Sequence, residues 1–400
     1  MKILFIQESD WFERNPIIQH HLLEIMSLRG HEVRVIDFEL LWSKHKYELF
    51  SKRKLFENGA RMNKNAKILV IRPAILKIPL LDYVSVLFSH KKEIKKQLQE
   101  WSPDVIVGDA VLNSYWGAKA AQRANIPFIY YWFELMHLLI PIKPLIFIGK
   151  LVEKASLKRT DKVLATSESL KNAISEMGYP VEKIQVLEVG VEFARYDLND
   201  SGDFLRDQYN LTKDDLVLLF MGWLYKFSGL KEVCIELSKL DNNHIKLIIV
   251  GEGDAYQELK NNIVQYNLKD KVILAGQKPY NEMPQYLAAA DVCLLPAYNN
   301  ETMRDIIPGK VYEYMAAGKP VISTELPGMM NKFGTDNGIV FVKTPEDTIG
   351  KAVELFETGQ FKDLGFKARK YIETYSWDNI ANDFEKILTQ SVADKANRHN

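Results

Sequence analysis

Short apolar runs alternate along this chain with amphipathic stretches of helical length. Lys2–Gln7 and Glu32–Asp37 are rich in Ile, Val, Leu and Phe, and Ile17–Leu28 between them carries apolar residues at helical spacing. Short buried strands that alternate with helices predict a parallel sheet covered on both faces. The pattern predicts further strands at 66–71, 104–108, 127–132, 162–167 and 184–189, and helices at 113–124, 143–158 and 169–177.

A polar stretch, Glu192–Asp215, interrupts this alternation and is the best candidate for a linker. The alternation then restarts, with predicted strands at Leu216–Met221, Ile245–Val250, Val272–Ala275, Val292–Leu295, Val321–Thr324 and Ile339–Val342. A chain of 400 residues is too long for one ordinary core. We therefore predict an α/β fold of two doubly wound, Rossmann-like domains, at residues 1–195 and 212–375.

Composition and charge exclude several classes of protein. Lys plus Arg and Asp plus Glu both number 52, so the chain lacks the surplus positive charge of a general nucleic-acid binder. Cys234 and Cys293 lie among apolar residues and are expected to be buried thiols, and we find no metal-ligand spacing. The first residues are too short an apolar run for a signal peptide, so the cytoplasm is the expected compartment.

The turns that follow the strands of the second domain hold the first candidate residues, because ligands of such sheets bind at the carboxyl ends of the strands. Gly222–Gly229 contains Lys226, which would meet a phosphate, or it is an ordinary turn with a solvated lysine. Gly251 and Gly253 follow the next strand and Gly276 the one after it. Each would let the backbone approach a ligand, and each is equally compatible with a plain turn.

The strongest candidate segment follows Val292–Leu295. Pro308 and Gly309 stand at a predicted helix start, and Lys310 and Glu313 are three residues apart, on one helical face. Glu313 would accept hydrogen bonds from ribose hydroxyls, and Lys310 with the helix dipole would neutralise a diphosphate. The alternative is a surface salt bridge at a helix end.

This segment resembles the donor-site signature of retaining GT-B glycosyltransferases of family 4. Asp305 stands eight residues before Glu313, with Glu301 as a competing acidic position, and the run YMAAGKPVI follows. The resemblance extends over nearly the whole chain. It includes Arg29–Val33, Leu164–Glu168, Val189–Phe193 and Ser376-Trp377.

The resemblance implies a GT-B fold, in which two Rossmann-like domains face each other across a cleft and a helix in 376–400 crosses back to the N-terminal domain. It implies transfer of a sugar from a UDP-, GDP- or ADP-sugar to a glycan or lipid-linked acceptor with retention of configuration, without a metal or cofactor. Lys226 and Lys310 would stabilise the departing diphosphate, Asp305 would face the sugar, and Glu313 would hold the ribose.

The sequence departs from the family pattern at several positions. Trp223 stands where an Arg is usual, and Ser228 where a Lys is usual. The nearby bases that would replace them are Lys226, Arg304 and Lys310. In the N-terminal domain Asn15-Pro16 replaces a Gly-Gly loop, and the helix that Asn15 caps is expected to face the phosphates.

These departures keep three alternatives open. A GT-B epimerase or hydrolase would use the same donor site without an acceptor. A degenerate member would bind the nucleotide sugar only as a partner subunit, which Trp223 and Ser228 favour. A dehydrogenase with two Rossmann domains is a third alternative, against which the incomplete glycine fingerprint counts.

The acceptor is expected in the N-terminal domain. Glu134 and His137 follow the strand at 127–132 and are candidates to contact it, whereas His20, His21 and Asp109 are as well explained as ordinary helix or capping residues. Two apolar segments with interspersed lysines, Ile68–Leu98 and Leu135–Lys158, have two interpretations. A basic amphipathic surface would hold the protein peripherally on the cytoplasmic membrane face. We favour buried core helices whose lysines extend to solvent.

Overall fold

The computed structural model describes residues 1–13, 16–39, 48–79, 81–140, 143–198 and 200–397. The chain forms two compact units. The first unit comprises Met1–Glu188 together with the residues from Trp377 onward, and the second comprises Val189–Ser376.

The first unit is built on a predominantly parallel sheet. Its strands are β1 (Lys2–Ile6), β2 (Glu32–Ile36), β3 (Phe50–Ser51), β4 (Lys54–Phe56), β5 (Ile68–Arg72), β6 (Ile75–Leu76), β7 (Val105–Gly108), β8 (Phe128–Trp132), β9 (Lys162–Ala165) and β10 (Ile184–Val186). Within the described residues, eight strands pair in the order β10-β9-β8-β7-β1-β2-β5-β4, with β4 antiparallel, and β3 pairs separately with β6. All five residues of β8 are buried, as expected of a strand covered on both faces.

Helices connect these strands. They are α1 (Ile18–Leu28), α2 (Leu81–Glu100), α3 (Leu112–Ala124), α4 (Lys143–Leu157) and α5 (Glu168–Glu176). The connections β1–α1–β2 and β7–α3–β8 leave the middle of the sheet in opposite directions, so the two neighbouring strands β1 and β7 form a switch point.

The start of α1 differs from the prediction. The helix begins at Ile18 with Ile17 as its N-cap, so Pro16 is not its first residue, and Asn15 lies outside the described residues. The Ile17 N–H donates to Nδ1 of His20 at 3.1 Å, while Nε2 of His20 lies 3.0 Å from the Trp11 carbonyl. Burial lowers the pKa of His20 to about 4, so the neutral ring caps the helix.

The second unit contains a parallel sheet. Its strands are β11 (Leu216–Met221), β12 (Ile245–Val250), β13 (Val272–Gly276), β14 (Val292–Leu295), β15 (Val321–Thr324) and β16 (Ile339–Val342). Its helices are α6 (Asp203–Gln208), α7 (Leu230–Lys239), α8 (Tyr256–Gln265), α9 (Met283–Ala289), α10 (Gly309–Ala316), α11 (Pro327–Phe333), α12 (Asp347–Glu357) and α13 (Phe361–Ile372). Among the described residues the strand order is β13-β12-β11-β14-β15-β16. The predicted doubly wound α/β fold is confirmed in both units.

Both cysteines lie in the second unit and are buried free thiols, as predicted. Burial raises the pKa of Cys234 to about 12, which leaves the thiol protonated near neutral pH.

The segment that we predicted as a linker is packed into the second unit. Arg206 on α6 forms an ion pair with Asp291 at 3.0 Å and donates to the Ala289 carbonyl. The Val191 N–H donates to the Tyr375 carbonyl at 2.7 Å. Arg206 thus fixes the segment to the rest of the unit, although most of the described polar side chains of 192–215 are exposed, and the boundary between the units falls between residues 188 and 189.

The last helix, α14 (Trp377–Asn397), belongs to the first unit and packs against α1. The Trp377 ring stacks on His21 at 4.4 Å between centroids. Glu385 accepts from Arg29 and lies 2.7 Å from the His31 ring nitrogen. The predicted return of the C-terminal helix to the N-terminal domain is therefore confirmed.

Gly229, at the start of α7, gives a test of backbone packing. Its φ is +71°, and a Cβ there would overlap the Pro296 carbonyl. Gly359, in the same unit, has a φ of +69° with no atom within 4 Å of such a Cβ. We expect Gly229→Ala to lower the free energy of unfolding by about 3 kcal/mol, and Gly359→Ala by about 1 kcal/mol. Urea denaturation measures both, and equal losses would contradict the tight packing of Gly229.

Candidate functional site

The switch point of the second sheet lies between β11 and β14, which are neighbours although the chain leaves them in opposite directions. Because their following loops, at 222–229 and 296–308, lead to opposite sides, such a sheet is expected to bind ligands between them at its carboxyl edge. Both loops were predicted to bind a ligand.

Glycine backbones form one side of this edge. Gly222, Gly251 and Gly276 all have positive φ, and the Gly251 N–H donates to the Gly276 carbonyl at 2.8 Å. A Cβ on Gly251 would overlap the Gly222 carbonyl, and one on Gly253 would lie 2.5 Å from the Leu224 carbonyl oxygen. Close packing thus requires glycine here, and it leaves an edge of bare backbone.

Lys310 reaches this edge from the first turn of α10, which begins at Gly309 with Pro308 as its N-cap, as predicted. Its Nζ lies 4.0 Å from the centroid of the Phe220 ring, and a Cβ on Gly222 would lie 2.8 Å from it. The side chain keeps part of its exposure. Burial lowers the pKa of Lys310 to about 7, although Glu313 opposes the shift. An anion bound here would restore the charge that burial disfavours.

Glu313 lies one turn further along α10 and bonds to tyrosines instead of forming a surface pair with Lys310. Its Oε1 accepts a hydrogen bond from the Tyr280 hydroxyl at 3.0 Å, and Tyr196 makes a further hydrogen bond to it. Burial raises the pKa of Glu313, and these hydrogen bonds oppose the shift together with the charge of Arg195. The carboxylate of α10 is therefore positioned by two other segments of the same unit, one at Arg195-Tyr196 and one at Tyr280.

Arg195 is a member of this cluster that the sequence did not reveal. Its guanidinium lies 3.7 Å from the Tyr280 ring centroid, and Nη2 donates to the Tyr280 carbonyl at 2.6 Å. Its buried Nη1 has no hydrogen-bond partner among the described residues. The polar pattern places Arg195 within the predicted linker Glu192–Asp215. The available signal was the turn Val189–Phe193, which carries the family resemblance and directly precedes Arg195.

Arg304 and Asp305 lie on the loop before α10. The Gly328 N–H at the start of α11 donates to the Arg304 carbonyl at 2.6 Å, which fixes this part of the loop. Nε of Arg304 lies 3.5 Å from the Asp305 carboxylate, and their side chains are 56% and 25% exposed. Asp305 is thus accessible to a ligand and partly neutralised by its neighbour, while the competing Glu301 is exposed.

The loop after β11 explains two departures from the family pattern. Trp223 is 47% exposed. Lys226 is also exposed and begins a short 3-10 turn that ends at Ser228. Ser228 is buried, with 6% exposure, so a lysine would not fit there without rearrangement. Among these three positions, Lys226 alone offers an exposed positive charge.

The predicted acceptor candidates lie in the first unit. Glu134 follows β8 and is partly buried. His137 is 4% exposed, with Nδ1 2.5 Å from Glu153 on α4 and its N–H donating to the same carboxylate. His137 therefore pairs with Glu153, because the 3-10 turn at 136–139 packs against α4.

Glu8 is a second residue that the sequence analysis missed. It follows β1 at the switch point of the first sheet and accepts backbone hydrogen bonds from Val111, Leu112 and Asn113 at the start of α3. Burial raises its pKa to about 7 against those hydrogen bonds. Asp109 follows the neighbouring strand, and its carboxylate accepts from Gln19 at 3.3 Å. A polar edge thus exists in this unit as well.

Two family models match the chain. The model described as Glycosyltransferase Family 4 matches residues 19–195, and the model described as Glycosyl transferases group 1 matches residues 202–376. An uncharacterized glycosyltransferase of Methanocaldococcus jannaschii is 28% identical over 58% of this chain and 60% of its own length. The amylovoran biosynthesis glycosyltransferase AmsK of Erwinia amylovora is 32% identical over 43% of this chain and 41% of its own. The chain therefore spans about half the length of these relatives.

Solved structures are similar to the chain over nearly its whole length. Sucrose-phosphate synthase from Thermosynechococcus elongatus superposes with a TM-score of 0.78, 17% identity and coverage of 98% of this chain and 99% of that one. Anabaena HepE in complex with UDP superposes with a TM-score of 0.74 and 17% identity, and the match covers 98% of this chain and 100% of that one. The predicted GT-B fold is confirmed by these likenesses. Since the two family models together match most of the chain, it belongs to glycosyltransferase family 4.

Proposed function

We propose that this chain transfers a sugar from a nucleoside diphosphate sugar to an acceptor hydroxyl, with retention of anomeric configuration and without a metal ion. The observation that carries the proposal is the position of Lys310, whose Nζ lies against Gly222 at the switch point of the second sheet. A cation, a helix N-terminus and bare backbone at one sheet edge suit a diphosphate.

The donor would lie along the edge from the loop after β11 to α10. Lys310 would contact the diphosphate, with Lys226 contributing from the exposed turn. Glu313 would accept hydrogen bonds from ribose hydroxyls, since an ionised carboxylate accepts more hydrogen bonds than Tyr280 and Tyr196 supply. Asp305 would orient the sugar.

Bond cleavage at the anomeric carbon places negative charge on the leaving phosphate oxygen. Lys310 and the amide end of α10 stabilise that charge, which is the electrostatic work that a metal ion performs in other enzymes. The acceptor oxygen bonds to the anomeric carbon on the face that the phosphate leaves, and its proton leaves with the diphosphate. We assign the acceptor to the polar edge of the first unit, which includes Glu8 and the predicted candidate Glu134.

The names of similar proteins support a choice of nucleotide and acceptor class for this proposal. HepE was crystallised with UDP and with UDP-glucose, and AmsK is named for the biosynthesis of a polysaccharide. We therefore propose a UDP-sugar before a GDP- or ADP-sugar, and a glycan or lipid-linked glycan as acceptor.

The decisive experiment measures binding and turnover of UDP-, GDP- and ADP-sugars in the presence of EDTA, with the product anomer determined by NMR. Saturable binding of one donor and a retained anomer support the proposal. Acceptor-independent consumption of the donor would instead favour the epimerase or hydrolase alternative. Binding without turnover of any acceptor would favour a partner subunit, the alternative that Trp223 and Ser228 support. Absence of binding to every donor would overturn the proposal.

The two lysines should differ in importance. Lys226 is exposed and Lys310 is largely removed from water, so a charge at Lys226 is screened more strongly. We expect Lys226→Ala to lower kcat/KM by about fivefold, the effect of an exposed charge contact worth roughly 1 kcal/mol. Initial rates at low donor concentration measure this, with the exposed Lys260→Ala as control. A loss above 100-fold would assign the main phosphate contact to Lys226.

A further inference from the structure

Helix α2 presents apolar side chains to solvent in its first half. Leu81, Val84 and Phe88 recur at helical spacing and are 46%, 48% and 72% exposed. Tyr83 beside them is 41% exposed. The opposite face of the helix is buried, so Leu81, Val84 and Phe88 form an apolar stripe on its exposed face.

Helix α4 repeats the arrangement. Phe147, Ile148 and Leu151, at the start and middle of this helix, are 67%, 53% and 50% exposed, and Leu145 is 39% exposed. The sequence analysis favoured buried core helices for these two segments, which holds for one face of each helix and not for these apolar side chains. The helices bury other residues against the sheet, and they leave these apolar side chains in water.

Lysines follow the apolar residues on both helices. Lys91, Lys92 and Lys95 are exposed on the second half of α2, and Lys150, Lys154 and Lys158 are exposed along α4 and just beyond it. The carboxylates of these helices are largely turned inward, because Asp82, Glu93 and Glu153 are buried. The exposed faces are therefore apolar at one end and strongly basic at the other, in a chain of zero net charge.

The two helices lie on one face of the sheet. The connections β5–α2–β7, β7–α3–β8 and β8–α4–β9 all step in the same direction along the strand order. Right-handed crossovers then place α2, α3 and α4 on a common face and run them parallel. Their N-terminal halves, with the exposed apolar residues, lie towards the carboxyl edge of the sheet.

Helix α3 packs against both and joins their basic parts. Nζ of Lys91 lies 4.3 Å from the Trp116 ring centroid, and Nζ of Lys119 lies 5.5 Å from the same ring. The Arg159 guanidinium lies 5.4 Å from the ring of Tyr115. These contacts run without a break from α2 across α3 to the end of α4.

We propose that this surface, formed by the exposed residues of α2 and α4, docks the first unit on an anionic lipid bilayer. Apolar side chains beside lysines match the acyl and headgroup layers of such a membrane. In the described part of the chain no helix is both long and apolar enough to cross a bilayer. A second copy of the chain is a poorer occupant, since it would present the same lysines to each other.

The charge of the surface is tested by vesicle co-sedimentation. The full-length protein should pellet with vesicles of phosphatidylcholine and phosphatidylglycerol, and far less with phosphatidylcholine alone. Replacing Lys92, Lys95 and Lys154 with Glu should weaken partitioning by about 100-fold, since each lysine at an anionic surface contributes roughly fivefold. A control variant with Lys213, Lys260 and Lys269 replaced by Glu, exposed lysines of the second unit, carries the same net charge and should bind like the wild type.

The apolar part is tested with a matched pair. Phe88→Ser with Phe147→Ser should weaken partitioning at least tenfold, because two rings leave the bilayer. Phe204→Ser with Phe366→Ser removes two rings of equal exposure, 71% and 68%, from the second unit and should have no effect.

Three outcomes would overturn the proposal. In the first, the wild type fails to bind anionic vesicles. In the second, the control variants lose binding as much as the surface variants. In the third, the wild type does not bind vesicles but is a dimer that Phe88→Ser with Phe147→Ser dissociates, so that the surface joins two copies of the chain. No nucleotide sugar enters these measurements, so their result is independent of the proposed donor chemistry.

Discussion

Replacing Lys310 with methionine is expected to lower kcat/KM for the nucleotide sugar by about 100- to 1,000-fold, the loss typical of one removed group that stabilises developing anionic charge. Methionine keeps an unbranched chain against Phe220 and removes the ammonium that lies at Gly222. The measurement is the initial rate at low donor concentration. Because α10 and its neighbours keep their packing, the midpoint of urea denaturation should differ from that of the wild type by no more than a few tenths molar.

The pH dependence separates the charge of Lys310 from its packing. Burial lowers the pKa of this lysine to about 7, so the free protein carries the ammonium below that pH and loses it above. The kcat/KM of the wild type should therefore fall as pH rises through about 7, and Lys310→Met should lack that fall. Lys310→Arg keeps a charge at every working pH and should show a flat profile in the same range. A wild-type profile that survives in Lys310→Met would exclude Lys310 as its cause.

Glu313→Ala should weaken binding of the nucleoside diphosphate by about 100-fold, since two hydrogen bonds to an ionised carboxylate are lost at roughly 1.5 kcal/mol each. Titration calorimetry with the nucleoside diphosphate alone isolates this step from acceptor binding. The 2′,3′-dideoxynucleoside diphosphate lacks both ribose hydroxyls and should therefore bind the wild type and the variant equally.

Tyr280→Phe is the matched control for Glu313. It removes one hydrogen bond to the carboxylate and keeps the ring under Arg195, so binding should weaken less than tenfold. If Tyr280→Phe equals Glu313→Ala, the carboxylate acts by holding the tyrosine and not by contacting the ribose.

The strands were predictable where apolar runs end abruptly. Leu216–Met221 and Ile245–Val250 have the predicted bounds because glycine turns follow both of them directly. The pair Phe50–Ser51 and Ile75–Leu76 was missed, since strands of two residues have no periodicity that could reveal them. The predicted start of α1 was wrong because the buried ring of His20, three residues after the N-cap Ile17, caps the helix. The position of this ring depends on its tertiary contact with Trp11.

The candidate site also contains residues that the sequence predicted and residues that only the structure revealed. Lys310 and Glu313 were found together because one helix carries both at a fixed spacing. Tyr280 and Arg195 reach Glu313 from distant parts of the chain, and spacing in sequence holds no information about such a meeting. Polar composition suggested a solvated linker around Arg206, yet paired polar groups can be packed as firmly as apolar ones.

The first unit is assembled from two pieces of chain that the whole of the second unit separates. During synthesis, Val189–Ser376 is complete before α14 emerges, whereas the N-terminal piece must wait for the helix that covers His21 and pairs with Arg29. We therefore expect the usual order, in which the N-terminal domain of a nascent chain finishes folding first, to be reversed here. Until the last helix is made, the exposed flank of α1 is a surface that chaperones can bind.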